Sequence, residues 1–131
     1  MSSERYDIKN IEQALEIIKN LGFEEILKKY KKDYPNDFFF TGIYTSKEEI
    51  LEELQNRIIE GLLFDYNEIK RKISFLRKHG QDPGVLDFRI LQVPLKVKVL
   101  EANFVLENYE VVRQMLSDAK SRLDDFDLSD Y

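Results

Sequence analysis

The sequence has no cysteine and no tryptophan, a single histidine, five glycines and three prolines among its 131 residues. Without cysteine there is no disulfide and no thiolate metal site. The absence fits a reducing or an oxidising compartment equally, and it removes one oxidation liability, as suits a hot environment. The lone histidine, His79, has no second imidazole to share a metal. As a catalytic base it would need an orienting partner; before Gly80 it reads as a residue closing a helix. Gly22, Gly42, Gly61, Gly80 and Gly84 are isolated, so there is no glycine-rich phosphate loop. No apolar run approaches the ~20 residues of a membrane helix. The opening MSSERYDIKN lacks the apolar stretch of a signal peptide. These absences predict a soluble protein that is not an enzyme and carries no cofactor or metal.

What is present fits one folded domain. Hydrophobic residues make up 43% of the chain, enough for a core at this length. Charged residues make up 34%, with both signs interspersed, as in heat-adapted proteins whose surface ion pairs cost less to form. The net charge of −5 argues against direct duplex DNA binding and leaves room for a basic partner.

Apolar residues at Ile8, Ile11, Leu15, Ile18 and Leu21 mark one helix face, and Gly22 reads as its stop. A short helix from about Phe23 to Tyr34 carries Phe23, Ile26, Leu27 and Tyr30 on one side and lysines on the other. Pro35 and Asn36 break it. Ser46-Lys-Glu-Glu49 has the form of a capping box, in which the serine accepts from the third amide and the glutamate reaches back to the serine amide. Behind it Leu51, Leu54, Ile58, Leu62, Tyr66, Ile69, Ile73 and Leu76 predict a helix of roughly 30 residues. Leu63, Phe64 and Phe75 widen its apolar face. Arg77-Lys78-His79-Gly80 ends it, and Asp82-Pro83 reads as the cap and first position of the next helix.

Beyond Pro83 the period is ambiguous. Leu95, Val97 and Val99 alternate with Lys96 and Lys98, as in a strand. From Leu100 to Leu123 the spacing is helical. One long helix kinked or broken at Pro94 is the main reading, and a short strand over 95–99 competes with it. The predicted fold is all-α: an antiparallel bundle of about four helices, two of them long, in residues 1–123. Residues 124–131, DDFDLSDY, form a flexible acidic tail.

The paired acids Glu24-Glu25, Glu48-Glu49 and Glu52-Glu53 and the basic runs at 28–32 and 70–72 read as solvated helix faces. Ser46 precedes a helix, so it caps rather than attacks. That leaves two candidate contact regions. The first is the aromatic loop at Phe38, Phe39, Phe40 and Tyr44. Its rings either fold inward to plug the bundle or stand out as a hot spot. The second is the set of tail aspartates Asp124, Asp125, Asp127 and Asp130, which suit a basic partner.

The length, the Cys-free and Trp-free composition rich in Lys, Glu, Ile and Tyr, and helices over Ile8–Leu21, Ile50–His79 and Leu95–Leu123 together resemble one small family. It comprises the helical virion proteins of the two-tailed viruses of hot-spring archaea, the bicaudaviruses. The resemblance implies a structural or assembly protein of a virus particle, soluble in the host cytoplasm before assembly and then located in the virion. Its partners would be itself or other virion proteins. A relative in that family inhibits host RNA polymerase by occupying the DNA-binding channel, so inhibition through acidic surface is the alternative the resemblance implies. No motif carries functional residues across to this chain.

Overall fold

The computed structural model describes residues 5–35 and 40–131. It is 71% helical, with a two-stranded sheet that the all-α expectation did not include. The chain divides into two compact units, residues 1–58 and 59–131, and the division falls inside the longest helix.

The first unit starts with strand β1, Tyr6–Ile8, antiparallel to β2, Gly42–Tyr44, with Tyr6 opposite Tyr44 and Ile8 opposite Gly42. Ile8 and Tyr44 are buried while Asp7 and Ile43 face out, the period-two alternation of a ribbon with one covered face. The helix expected from Ile8 therefore begins later, as α1, Ile11–Ile18. Asn10 sets that start: its side chain accepts from the Gln13 N–H at 3.0 Å, and Gln13 Oε1 accepts from the Lys9 N–H at 2.7 Å. Two amides at the helix entrance are thereby satisfied. A single 3-10 turn, Lys19–Leu21, ends at Gly22, whose φ of 75° is the left-handed conformation expected there. Helix α2, Glu24–Asp33, buries Ile26, Leu27 and Tyr30.

Helix α3, Lys47–Lys78, starts where the capping signature placed it. The Glu49 N–H donates to Ser46 Oγ at 3.1 Å. The Glu49 carboxylate reaches one residue further back than expected, accepting from the Thr45 N–H at 3.1 Å and the Thr45 hydroxyl at 2.6 Å. Two donors on Thr45 outweigh the one amide that Ser46 offers. Ile50, Leu54 and Ile58 are buried in the first unit. The helix closes on Gly80 at φ 79°, with Gln81 N–H donating to Leu76 O at 2.9 Å and Gly80 N–H to Arg77 O at 3.2 Å. This pair of hydrogen bonds is the Schellman arrangement that satisfies the last carbonyls.

In the second unit α3 contributes buried Leu62, Tyr66, Ile69, Ile73 and Leu76. Phe64, expected on that face, is 69% exposed. Helix α4, Val85–Ile90, starts two residues beyond the expected Pro83. Asp82 spends its carboxylate on the Gly84 N–H at 2.9 Å, making a turn before the helix rather than a cap on it. Helix α5, Val93–Ala102, carries Pro94 in its first turn, where a missing N–H costs nothing. Residues 95–99 are therefore helical, not a strand. The helix expected to run on to Leu123 breaks at 103–105. Asn103 leaves helical geometry (φ −143°, ψ 94°). Its carbonyl accepts from Asn108 Nδ2 at 2.8 Å. Helix α6, Leu106–Leu123, packs against α4 and α5 and buries Tyr109, Val112, Leu116, Ala119 and Leu123 at steps of three and four.

Candidate functional site

Among the aromatic residues read as contacts, Phe40 and Tyr44 are turned inward. Phe40 is 5% exposed, lies parallel to the Tyr44 ring at 5.5 Å, and has the Arg57 guanidinium 6.0 Å from its centroid. It lines a small apolar hollow with Ile11, Leu27, Tyr30, Leu54 and Ile58. Burial raises the Tyr44 hydroxyl's pKa, with the Glu53 charge adding to it. Phe38 and Phe39 lie outside the described residues.

The aspartates Asp124, Asp125, Asp127 and Asp130 are all exposed. Their segment is nonetheless tied to its own unit. Gln81 Nε2 donates to the Asp127 carbonyl at 2.9 Å, and Gln81 Oε1 accepts from the Asp127 N–H at 3.2 Å. The Tyr131 hydroxyl donates to Glu68 Oε1 at 2.9 Å, a bond that raises its pKa. The Tyr131 ring meets Phe75 edge-on at 5.4 Å. The Ser129 hydroxyl and N–H donate to Asp127 Oδ1, lowering the pKa of that carboxyl. His79 closes α3 as expected: its Nδ1 lies 2.9 Å from Phe75 O and its ring stacks on Phe75 at 4.0 Å.

The surface that departs most from an ordinary solvated face is on α4 and α5. Their inward side buries Leu86, Ile90, Val93, Val97 and Leu100. Their outward side is apolar as well. Val85, Phe88, Leu91, Leu95 and Val99 are 59%, 69%, 57%, 65% and 49% exposed. Leu95 and Val99 lie four residues apart on one side of α5, and Leu91 precedes them in the turn between α4 and α5. Isolated exposed apolar residues are ordinary, whereas a contiguous set points to contact with another molecule.

Beside these residues lies a groove of about 530 Å³. Val85, Leu86, Phe88 and Ile90 of α4 form one wall and Met115 and Ala119 of α6 the other. Arg89, Lys96 and Arg122 also line it, against one carboxylate, Asp118, which accepts from Gln114 Nε2 at 2.8 Å. In an acidic chain this is a cationic, apolar concavity. No motif in the sequence marks it. The visible trace was the excess of apolar residues between Val85 and Leu100, more than one helix face can bury.

A second charge cluster ties α6 to α3. Asp65, 8% exposed, accepts from Lys120 Nζ at 2.7 Å and from Arg113 Nη1 at 3.2 Å. Its carboxylate is engaged by both cations, which marks a structural role. Among the described residues no group of three or more His, Cys, Asp or Glu side chains could hold a metal ion, and no helix is long and apolar enough to cross a membrane. No family model, no curated protein and no solved structure matches this chain.

Proposed function

We propose that this protein is a non-enzymatic assembly component that acts through protein–protein contacts, and that the outward face of α4 and α5 is its principal contact surface. The observation that carries the reading is the exposure of Phe88, Leu91, Leu95 and Val99 within one short span of chain, with Phe88 lining the groove between α4 and α6. Assembly into a virus particle is the specific form we propose, following the resemblance in length, composition and helix layout. In that setting the helices act as a bundle, and residues 124–131 form a tail that can leave its contacts. Two experiments test this. The chain should be an abundant component of purified particles by quantitative mass spectrometry, and Phe88→Ser with Leu95→Ser should remove it from them. A chain absent from particles, or retained in full by the double variant, would overturn the reading.

The alternative, an inhibitor seated in the DNA-binding channel of host RNA polymerase, is supported by the exposed Asp124, Asp125, Asp127 and Asp130. It requires binding to purified polymerase that is lost when these four are changed to Asn.

A further inference from the structure

We propose that the groove lined by α4 and α6 receives the acidic segment 124–131 of a second copy of this chain. The inference rests on the reading of the α4–α5 face as a protein contact and adds its occupant.

Charge selects that occupant. Arg89, Lys96 and Arg122 line the groove, and none of them is ion-paired among the described residues. The one opposing carboxylate is Asp118. Such a site favours an anionic ligand. The same charges disfavour the simplest alternative, two copies stacking this face on itself. A two-fold contact would set the patch carrying Arg89, Lys96 and the neighbouring Lys98 against the same cationic patch of the other copy.

Shape points the same way. A helix face laid across a hollow of about 530 Å³ leaves its floor unfilled, and an unfilled floor forfeits dispersion contacts. An extended segment can instead place single side chains inside. Residues 124–131 have the required alternation. Phe126 and Leu128 fall on one side of an extended backbone, with Asp125 and Asp127 on the other. The two apolar side chains would enter towards Phe88 and Met115. The carboxylates would stay at the rim with Arg89, Lys96 and Arg122.

The segment is also able to leave. Its ties to its own chain are the exposed hydrogen bonds of Gln81 to Asp127 and Tyr131 to Glu68 and one edge-on contact of the half-exposed Tyr131 ring with Phe75, contacts of the kind that open at low local cost. It departs just after Arg122, which itself lines the groove. Two copies related by a two-fold axis near that point could exchange segments, each reaching up to roughly 26 Å when extended. Exchange of identical segments is a low-cost route to a dimer.

The test is the mass of the full chain in solution by sedimentation, for four proteins and one mixture. The unaltered chain should approach twice 15.6 kDa with rising concentration, and less readily as salt is added. Arg89→Glu with Lys96→Glu should weaken association about tenfold or more, as should Asp125→Lys with Asp127→Lys. An equimolar mixture of the two variants should restore it, because each reversed groove then meets an oppositely charged segment. Recovery also shows that both variants are folded. A chain that stays at the mass of one copy up to its solubility limit overturns the proposal. Association that the aspartate reversals leave unchanged also overturns it. If that association is abolished by Leu95→Ser, the α4–α5 contact reading stands with a different occupant; if it persists, both readings fail.

Discussion

Gln81 holds Asp127 through both halves of its side-chain amide, giving one hydrogen bond to the carbonyl and taking one from the N–H across a separation of 46 residues. The side chain imitates a strand partner for a single residue. It turns an acidic segment back along the last turns of α3, and Tyr131 adds its bond to Glu68 further up that helix. Gln81→Ala removes both bonds at once. Amide exchange across 124–131 should accelerate, and limited proteolysis should cut there first. The global unfolding midpoint should barely move, because the clasp is exposed. Unchanged exchange in the variant would show that Tyr131 and Phe75 hold the segment unaided.

Among the described residues Asp65 is the one charged side chain that is buried, and its two cations differ in exposure: the Arg113 side chain is 18% exposed and that of Lys120 48%. Asp65→Ala takes this carboxylate from a largely buried guanidinium and should cost about 2–4 kcal/mol. Lys120→Ala removes a half-exposed partner and should cost no more than about 1 kcal/mol. Urea denaturation of the two variants separates them, and equal losses would contradict this account of where the energy lies.

The ends of α3 were legible because their determinants are local: Ser46 and Glu49 at one end, His79 and Gly80 at the other. The pairing of Tyr6–Ile8 with Gly42–Tyr44 was not. It joins distant three-residue segments, and Ile8 happens to fall on the helical spacing of Ile11 and Leu15. The residue that decides between strand and helix there is Asn10, through its cap on Gln13. Beyond Gly80 the start of α4 depends on the Asp82 side chain making a turn with Gly84, and the break between α5 and α6 on the Asn103 carbonyl taken up by Asn108. Periodicity does not register either. Of the site, the exposed aspartates could be read directly. The groove could not: α4 and α5 are apolar on two sides, and only the placement of α6 determines which side is covered.

Phe40 and Phe88 give a direct contrast between ring burial and ring exposure in one molecule. Phe40→Ala opens a cavity beside Tyr44 and Leu54 and should cost about 3–5 kcal/mol with no change in solution mass. Phe88→Ala removes a ring that is 69% exposed and should change stability by no more than about 0.5 kcal/mol. Its effect should fall on association instead. Thermal unfolding and sedimentation on the same two samples test both halves, and a Phe40 variant of normal stability would contradict its place in the core.

The cap on α3 makes one component of stability depend on pH. The Thr45 hydroxyl, and then the Thr45 N–H, donate to the Glu49 carboxylate and hold its pKa below the ordinary glutamate range. A carboxyl whose pKa is lower folded than unfolded stabilises the fold while it is charged in both states. That contribution is complete above the ordinary range of about pH 4–5 and is lost as pH falls through the depressed value. Glu49→Gln keeps the size of the side chain and removes the charge. The unaltered chain should therefore have the higher unfolding midpoint at neutral pH, and the gap should narrow on acidification below pH 4–5. Denaturation curves of both proteins across that range measure the gap. A gap constant into strong acid would mean that the amide serves the Thr45 donors as well as the carboxylate does, and one that widened would reverse the sign of the linkage.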